Sequence, residues 1–279
     1  MRGVLTMALK HPLYGRYAYN LALSIKSADM RQQVAVIADE AALAHLHPGQ
    51  RMIFDYIIPP AVEKPLVNKF HLINLSPFEE TLFVDADMIF SPLANFEEYW
   101  NSMKDVQWTM ANRGKDDLVK GISEWTTKED LQEAYGLTPL LTWEWYDLSS
   151  EWIYFKKNDL SYSIFANAER YYDENYLKVR EFAGDRPDEP YFNLALNSIP
   201  HEPHQAPYQP TYWQPAMKGF PGVMGIKKGW MAFSVGGKLI PQQQQIVYDE
   251  FAKNASFRMN MPSMKIAQKM NQLSERKVI

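Results

Sequence analysis

The chain has no cysteine among its 279 residues, so no disulfide holds its fold and no thiolate enters its chemistry. That agrees with a reducing compartment, and a cytoplasmic location is expected. Long apolar runs are also missing: none reaches the roughly 18–20 residues that a membrane-spanning helix needs. Arg2 precedes a short apolar stretch, but polar residues interrupt it too soon for a secretory signal. There are no internal repeats, and Gln242–Gln245 is too short to count as low complexity. Hydrophobic residues at 46% and charged residues at 22% are ordinary for a soluble globular protein.

The length suits one large domain, or one domain with an appended tail. A net charge of −4 conceals an asymmetry. Residues 217–279 carry 10 Lys and Arg against 3 Asp and Glu, a balance of +7, which leaves 19 against 30, or −11, in residues 1–216. A basic quarter of this kind is a solvated face or meets phosphate, nucleic acid or an anionic membrane surface. Within it, Met264, Ile266, Ala267, Met270 and Leu273 fall near helical spacing between lysines and arginines, which suggests an amphipathic docking helix over Met261–Ile279.

Patterning along the chain alternates. Gly3–Leu9, Val34–Ala38, Asp55–Ile58 and Glu80–Phe90 read as strands. Gly15–Ala28, Ala41–Leu46 and Val62–Leu75 read as the helices between them. This alternation predicts an α/β fold with a mixed, mostly parallel sheet flanked by helices. Later in the chain, Glu151–Phe155 reads as a strand and Ser161–Tyr176 as a helix. Pro200–Pro221 reads as extended loop, Ile226–Ile240 as a hairpin and Gln242–Leu273 as one or two helices.

The most informative stretch is Leu82-Phe83-Val84-Asp85-Ala86-Asp87, two carboxylates one residue apart at the end of an apolar run. In a strand, residues i and i+2 share a face, and two adjacent carboxylates repel unless a cation offsets them. Mg2+ and Mn2+ prefer oxygen ligands and bridge carboxylates to phosphates. A metal–diphosphate site with a nucleotide ligand is therefore expected, with Asp85 and Asp87 as metal ligands. The strand position also counts, because open parallel sheets bind ligands beyond the C-terminal ends of their strands.

Four segments in order resemble the GT-A glycosyltransferases, in particular the glycogenin and galactosyltransferase-like group. The first is Thr6-Met7-Ala8, with Tyr14 and Asn20–Ile25 following. The second is Lys69–Leu75, leading through Glu79-Glu80-Thr81-Leu82 into Asp85-Ala86-Asp87. The third is Ser149-Ser150-Glu151, where the family has Asn-(Ser/Ala)-Gly. The fourth is Asp188-Glu189-Pro190-Tyr191-Phe192-Asn193, with Glu189 where the family has glutamine.

The resemblance implies a single GT-A domain over residues 1–245, with an insertion or lid at 108–148 and a basic helical extension at 246–279. It implies transfer of a hexose or pentose from a nucleoside-diphosphate sugar, of the UDP type, with retention at the anomeric carbon. Mn2+ or Mg2+ would be the cofactor. Thr6, Ala8 and Tyr14 would contact the nucleoside, and Lys69 and Asp85 the phosphates. Ser149 would border the donor sugar, and Asp188 and Glu189 would serve at the anomeric carbon. Asp188 also fits a simple helix N-cap.

The family's late His-x-x-Gly-x-x-Lys segment, a source of a third metal ligand, has its nearest counterpart in Phe233–Lys238. That stretch keeps Lys238 but has no histidine. His201 and His204 lie too close behind Asp188 to take the role. The acceptor is a glycan or a hydroxylated base in viral DNA. Two other readings stand beside this one. A nucleotidyltransferase would carry a glycine-rich basic loop after its first strand, and Lys10–Arg16 holds one glycine. A non-catalytic nucleotide-sugar-binding protein would account for Glu151 and the missing histidine.

Overall fold

Four apolar runs near the N-terminus pair side by side and in parallel. They are β1 (Arg2–Ala8), β2 (Val34–Ala38), β3 (Tyr56–Ile58) and β4 (Glu80–Val84), in the order β3-β2-β1-β4. Leu5 faces Ala35 on one side and Phe83 on the other. All of β2 is buried, as expected for a parallel strand covered on both faces. The structure is a computed structural model and describes residues 1–115, 126–127, 130, 133–134, 146–181, 185–199, 231–234 and 242–264. The chain divides into two units. The first is Met1–Pro60 with Ser76–Asp105 and Ala206–Ile279, the second Ala61–Leu75 with Val106–Gln205.

In the first unit, α1 (Pro12–Ala28) begins after His11, whose imidazole accepts the Leu13 N–H at 3.1 Å. Burial, Arg16 and His45 lower the His11 pKa, which keeps the ring neutral with a lone pair for this cap. Pro12 in the first turn has its φ preset for a helix. Gly15 allows α1 to lie directly against α2 (Glu40–Leu43), after which comes the short α3 (Pro48–Arg51): a Cβ on Gly15 would sit 2.0 Å from the Ala42 carbonyl oxygen. Gly15→Ala should therefore push the helices apart and cost about 1–3 kcal/mol, read as a lower denaturant midpoint.

Ser24 accepts the Phe90 N–H at 3.0 Å and donates to the Leu21 carbonyl at 2.7 Å. It thereby ties α1 to β5 (Met88–Phe90), which pairs antiparallel with β8 (Ala232–Ser234). Helix α8 (Gln242–Met259) packs on α1, with the Tyr17 and Tyr248 rings edge to face at 6.0 Å. The chain then runs along α1. The Tyr19 hydroxyl donates to the Pro262 carbonyl, and Asn20 exchanges two hydrogen bonds with the Met264 backbone at 2.9 and 3.0 Å. The 245/246 boundary expected from the sequence falls inside α8.

In the second unit, β6 (Trp108–Lys115) and β7 (Tyr146–Lys156) pair antiparallel with two register shifts. The opening of the segment read as an insertion is thus a strand. Helices α6 (Asp159–Glu174) and α7 (Glu189–Asn197) follow. The strands of the chain are mixed and mostly parallel and are flanked by helices, as the alternation predicted. Among the described residues no helix is long and apolar enough to cross a membrane.

Several expected elements differ in detail. The helix read over Val62–Leu75 is a bend followed by a 3-10 turn (Leu66–His71) and a short helix α4 (Leu72–Leu75). Asn68 is the reason: its side chain bonds the backbone of Ala61, Val62 and Lys64, competing with helical bonds. The strand read over Glu80–Phe90 is broken after Val84. Strand β7 starts earlier than the predicted Glu151, taking in Ser149 and Ser150. Residues 261–264 are non-helical. The rest of the expected docking helix, the Pro200–Pro221 loop and most of the Ile226–Ile240 hairpin lie outside the described residues.

Candidate functional site

The acidic pair does not share a strand face. Asp85, Ala86 and Asp87 form a turn between β4 and β5, closed by a hydrogen bond from the Met88 N–H to the Asp85 carbonyl at 3.1 Å. Aspartate favours turns because its side chain competes for local backbone bonds. The outcome for the carboxylates resembles the expected one: both are half-buried beyond the C-terminal end of a parallel strand. With Leu5 opposite Phe83, the same register carried forward sets Ala8, the last residue of β1, level with this turn.

Thr6 is fully buried, and its hydroxyl makes no hydrogen bond among the described residues. Beyond Ala8 the chain turns sharply at Lys10, a non-glycine residue in the left-handed region with φ 67°. Its N–H is held by the Asp39 carboxylate at 2.8 Å, and the other Asp39 oxygen caps α2 through the Ala42 N–H. This turn delivers Tyr14 in the first stretch of α1.

Burial and the fields of Asp87 and Asp85 push the Tyr14 phenol up to about 12. Both carboxylates therefore act electrostatically on Tyr14. The buried Tyr248 hydroxyl is likewise raised by burial, with Tyr17 and Asp87 contributing. The charge of Asp87 thus acts on tyrosines of both α1 and α8. Sequence patterning carried no signal for Tyr248, which reaches this place only by helix packing.

A pH effect follows from Tyr14. Its folded pKa lies above the unfolded value near 10, so between about pH 10 and 12 the unfolded chain loses this proton while the folded chain keeps it. Stability should fall across that window, and Tyr14→Phe should remove this part of the loss. Denaturant melts at several alkaline pH values would show it.

The second unit gathers the other candidates. Lys69 and Asp188 are both buried, with Nζ 3.6 Å from Oδ2 and 5% side-chain exposure each. The Lys69 ammonium also donates to the Ser150 carbonyl at 3.3 Å and hydroxyl at 3.2 Å. Asp188 precedes α7 but makes no side-chain capping bond, so its carboxylate serves the lysine and not the helix end. The Glu189 carboxylate accepts the Ser150 N–H at 3.3 Å. Asn193, one turn on, donates to the carbonyls of Leu148 and Glu189, both at 3.1 Å. Ser149 and Glu151 are buried beside them in β7, the Ser149 hydroxyl accepting the Glu151 N–H at 3.5 Å.

The apolar neighbours explain how these groups meet. Phe70, next to Lys69, lies with Phe192 at 5.2 Å, Tyr172 at 5.3 Å and Tyr191 at 6.4 Å between ring centroids. Phe192 in turn contacts Trp108 and Phe165. This aromatic cluster fastens the 3-10 turn to α7 and so sets Lys69 against Asp188. Ser150 and Asn193 lie inside the third and fourth segments, but spacing assigned neither a role of its own. Their signal is a buried polar side chain, visible only once burial is known.

Lys238, His201 and His204 lie outside the described residues. Among the described residues no group of three or more His, Asp or Glu side chains is arranged to hold a metal ion. Asp85 and Asp87 could by themselves give a cation two carboxylates, leaving the rest of a Mg2+ or Mn2+ shell to water and phosphate oxygens.

No protein-family model matches the chain, and no curated protein does either. Solved structures do. The bifunctional glycosyltransferase WbbM, without ligand, matches over 92% of this chain at 13% identity and a TM-score of 0.55. This chain spans only 50% of that one, about half its length. Mouse xyloside xylosyltransferase 1, also without ligand, matches over 86% of this chain and 99% of its own, at 10% identity and TM-score 0.52. The galactosyltransferase LgtC, in complex with donor and acceptor sugar analogues, matches over 97% of this chain and 100% of its own, at 12% identity and TM-score 0.53. What is shared at such identities is architecture, and the chain has the GT-A glycosyltransferase fold.

Proposed function

We propose that this chain is a metal-dependent glycosyltransferase, moving a sugar from a nucleoside-diphosphate sugar of the UDP type to a hydroxyl on a glycan acceptor. The observation that carries the proposal is the Asp85–Asp87 turn at the C-terminal exit of β4, with Tyr14 in its field. Ligands of open α/β folds bind at such strand ends, and the structural neighbours named above are glycosyltransferases.

Asp85 and Asp87 would hold Mn2+ or Mg2+, with diphosphate oxygens and water completing the shell. Bound there, such an ion would supply Lewis-acid neutralisation of a departing diphosphate. Thr6, Ala8 and Tyr14 are assigned to the nucleoside, Lys69 to the phosphates, and Lys238 to binding of the donor. Asp188 and Glu189 are assigned to the reacting sugar, where positive charge develops at the anomeric carbon, and Ser149 to the sugar's edge. The glycogenin-like resemblance favours retention of anomeric configuration.

The test is a screen of UDP-, GDP- and TDP-linked hexoses and pentoses with Mn2+ or Mg2+, reading nucleotide release and thermal shift. Stabilisation by one nucleotide and release of its diphosphate on adding a glycan acceptor are expected. Pyrophosphate release would mark a nucleotidyltransferase instead. Binding without turnover, whatever the acceptor, would mark a nucleotide-sugar-binding protein. Transfer to hydroxylated DNA with a steep salt dependence would move the acceptor to nucleic acid. No stabilisation by any nucleotide sugar would defeat the proposal.

A further inference from the structure

The far end of the same parallel strands carries a second concavity that the donor reading does not use. It has a volume of about 330 Å³ and lies at the start of β1, the loop before β2, and α5 (Phe96–Ser102). Arg2 opens β1 and Ala8 ends it, so this cavity is about 20 Å from the strand ends that carry the acidic turn.

Its inner wall is neutral and already oriented. The buried Trp100 indole donates to the Gln32 carbonyl oxygen at 2.8 Å, and the Gln32 amide nitrogen donates to the Gln33 backbone carbonyl at 3.1 Å. The Gln33 side-chain oxygen is buried without a hydrogen bond among the described residues. An orphaned acceptor of this kind costs about 1–3 kcal/mol unless something donates to it. Above it, the Arg2 guanidinium lies over the Trp100 ring at 5.7 Å and has no carboxylate partner among the described residues. Five donors in a planar fork are therefore available beside one unmet acceptor.

The rim balances its charge. Arg31 pairs with Asp29 at 3.3 Å, and Glu97 lies opposite in sign to Arg2. Two guanidinium groups against two carboxylates carry no net charge that would favour an ion of one sign, and the buried side chains of the wall are an amide and an indole. The ligand that matches is one whose groups both donate and accept without carrying charge, which describes sugar hydroxyls. Gln33 as a residue is half-buried, and rotation of its amide would turn the oxygen or the nitrogen toward the cavity, either of which a hydroxyl satisfies. The size is at the lower end of small-ligand sites.

We propose that the cavity formed by Arg2, Gln32, Gln33 and Trp100 is a second saccharide-binding site, taking one or two neutral sugar units of a glycan held away from the acidic turn. It stands on its own residues and does not require the donor reading.

The test uses the full chain with maltose, lactose and N,N′-diacetylchitobiose as probes, followed by saturation-transfer NMR. At least one disaccharide should bind. Saturating UDP and Asp87→Ala should leave that binding unchanged, whereas Arg2→Ala and Gln33→Leu should each weaken it about tenfold. Arg2 is exposed, and a melting curve for each variant separates lost binding from lost fold. The proposal is overturned if no disaccharide binds, if Arg2→Ala and Gln33→Leu bind normally, or if UDP displaces the sugar. Displacement by citrate or inorganic phosphate would also overturn it, making the cavity an anion site. A chain that passes this test but releases nucleotide from no donor keeps this site and loses the glycosyltransferase reading.

Discussion

Asp87→Ala is expected to lower sugar transfer about a thousandfold and to abolish Mn2+-dependent binding of UDP. The magnitude comes from the several kcal/mol that a metal contributes at a developing phosphate charge, with 1.36 kcal/mol per tenfold in rate. With no third His, Asp or Glu gathered at the pair among the described residues, the loss of one carboxylate would halve the share of the shell proposed for the protein. The unliganded variant should still fold. Both aspartates are half-buried in a turn, and removing one relieves like-charge repulsion. The decisive measurement is a pair of melting curves with Mn2+ and UDP. If the ligands raise the midpoint of Asp87→Ala as much as that of the wild type, the metal is not at this turn. Asp85→Asn should behave similarly, and both should leave disaccharide binding at the Arg2 cavity intact.

Lys69→Met should destabilise the fold by about 3–5 kcal/mol, because it leaves Asp188 buried without its cation. The two side chains are 3.6 Å apart with 5% exposure each, so solvent cannot take over the lost role. The Ser150 carbonyl and hydroxyl would lose their donor in the same step. Lys69→Met combined with Asp188→Asn should recover most of the stability, since neither charge is then stranded. The double-mutant cycle measures the coupling directly. Lys69→Arg is not a conservative alternative, because a planar fork does not fit a site built around a compact ammonium. Two roles for Lys69 separate here. Contact with the diphosphate predicts weaker UDP binding by a stable variant, whereas the ion pair predicts the stability loss above. A Lys69→Met protein that melts like the wild type would sink the second role.

Much of the framework was legible from local pattern. Val34–Ala38 is a strand with the predicted limits because an unbroken apolar run bounded by polar residues has few other uses in an α/β chain. Helix α1 was visible from its periodicity, although its start at Pro12 depended on the His11 cap. The element over Val62–Leu75 was misread for a local reason of another kind. One asparagine, Asn68, bonds the backbone on both sides of a bend, and periodicity counts do not register such competition.

The acidic pair was legible as a position but not as a geometry. Alternation along a strand put Asp85 and Asp87 on one face, whereas the chain places them in a turn. The same residues reach the same strand end by a different route, since aspartates that compete for backbone bonds also stop strands. Tyr14 was marked by its place in a motif. Its electrostatic coupling to both carboxylates came from the tertiary placement of α1, which no local pattern records.

The sequence by itself determined the fold class, the alternation of strands and helices, and an oxygen-rich pair at the exit of β4. These are encoded in residue type and spacing over a few neighbours, where burial and backbone bonding are decided locally. Only the tertiary structure decided that Lys69 faces Asp188, that the charge of Asp87 acts on Tyr248, and that Arg2 and Gln33 border one cavity. Those pairings join residues far apart in the chain, and their partners are chosen by packing: the Phe70 cluster for the first, the Tyr17–Tyr248 contact for the second, and the parallel register for the third. Charge and hydrogen-bonding capacity can be read from a sequence, but whom they meet is settled by the apolar side chains around them.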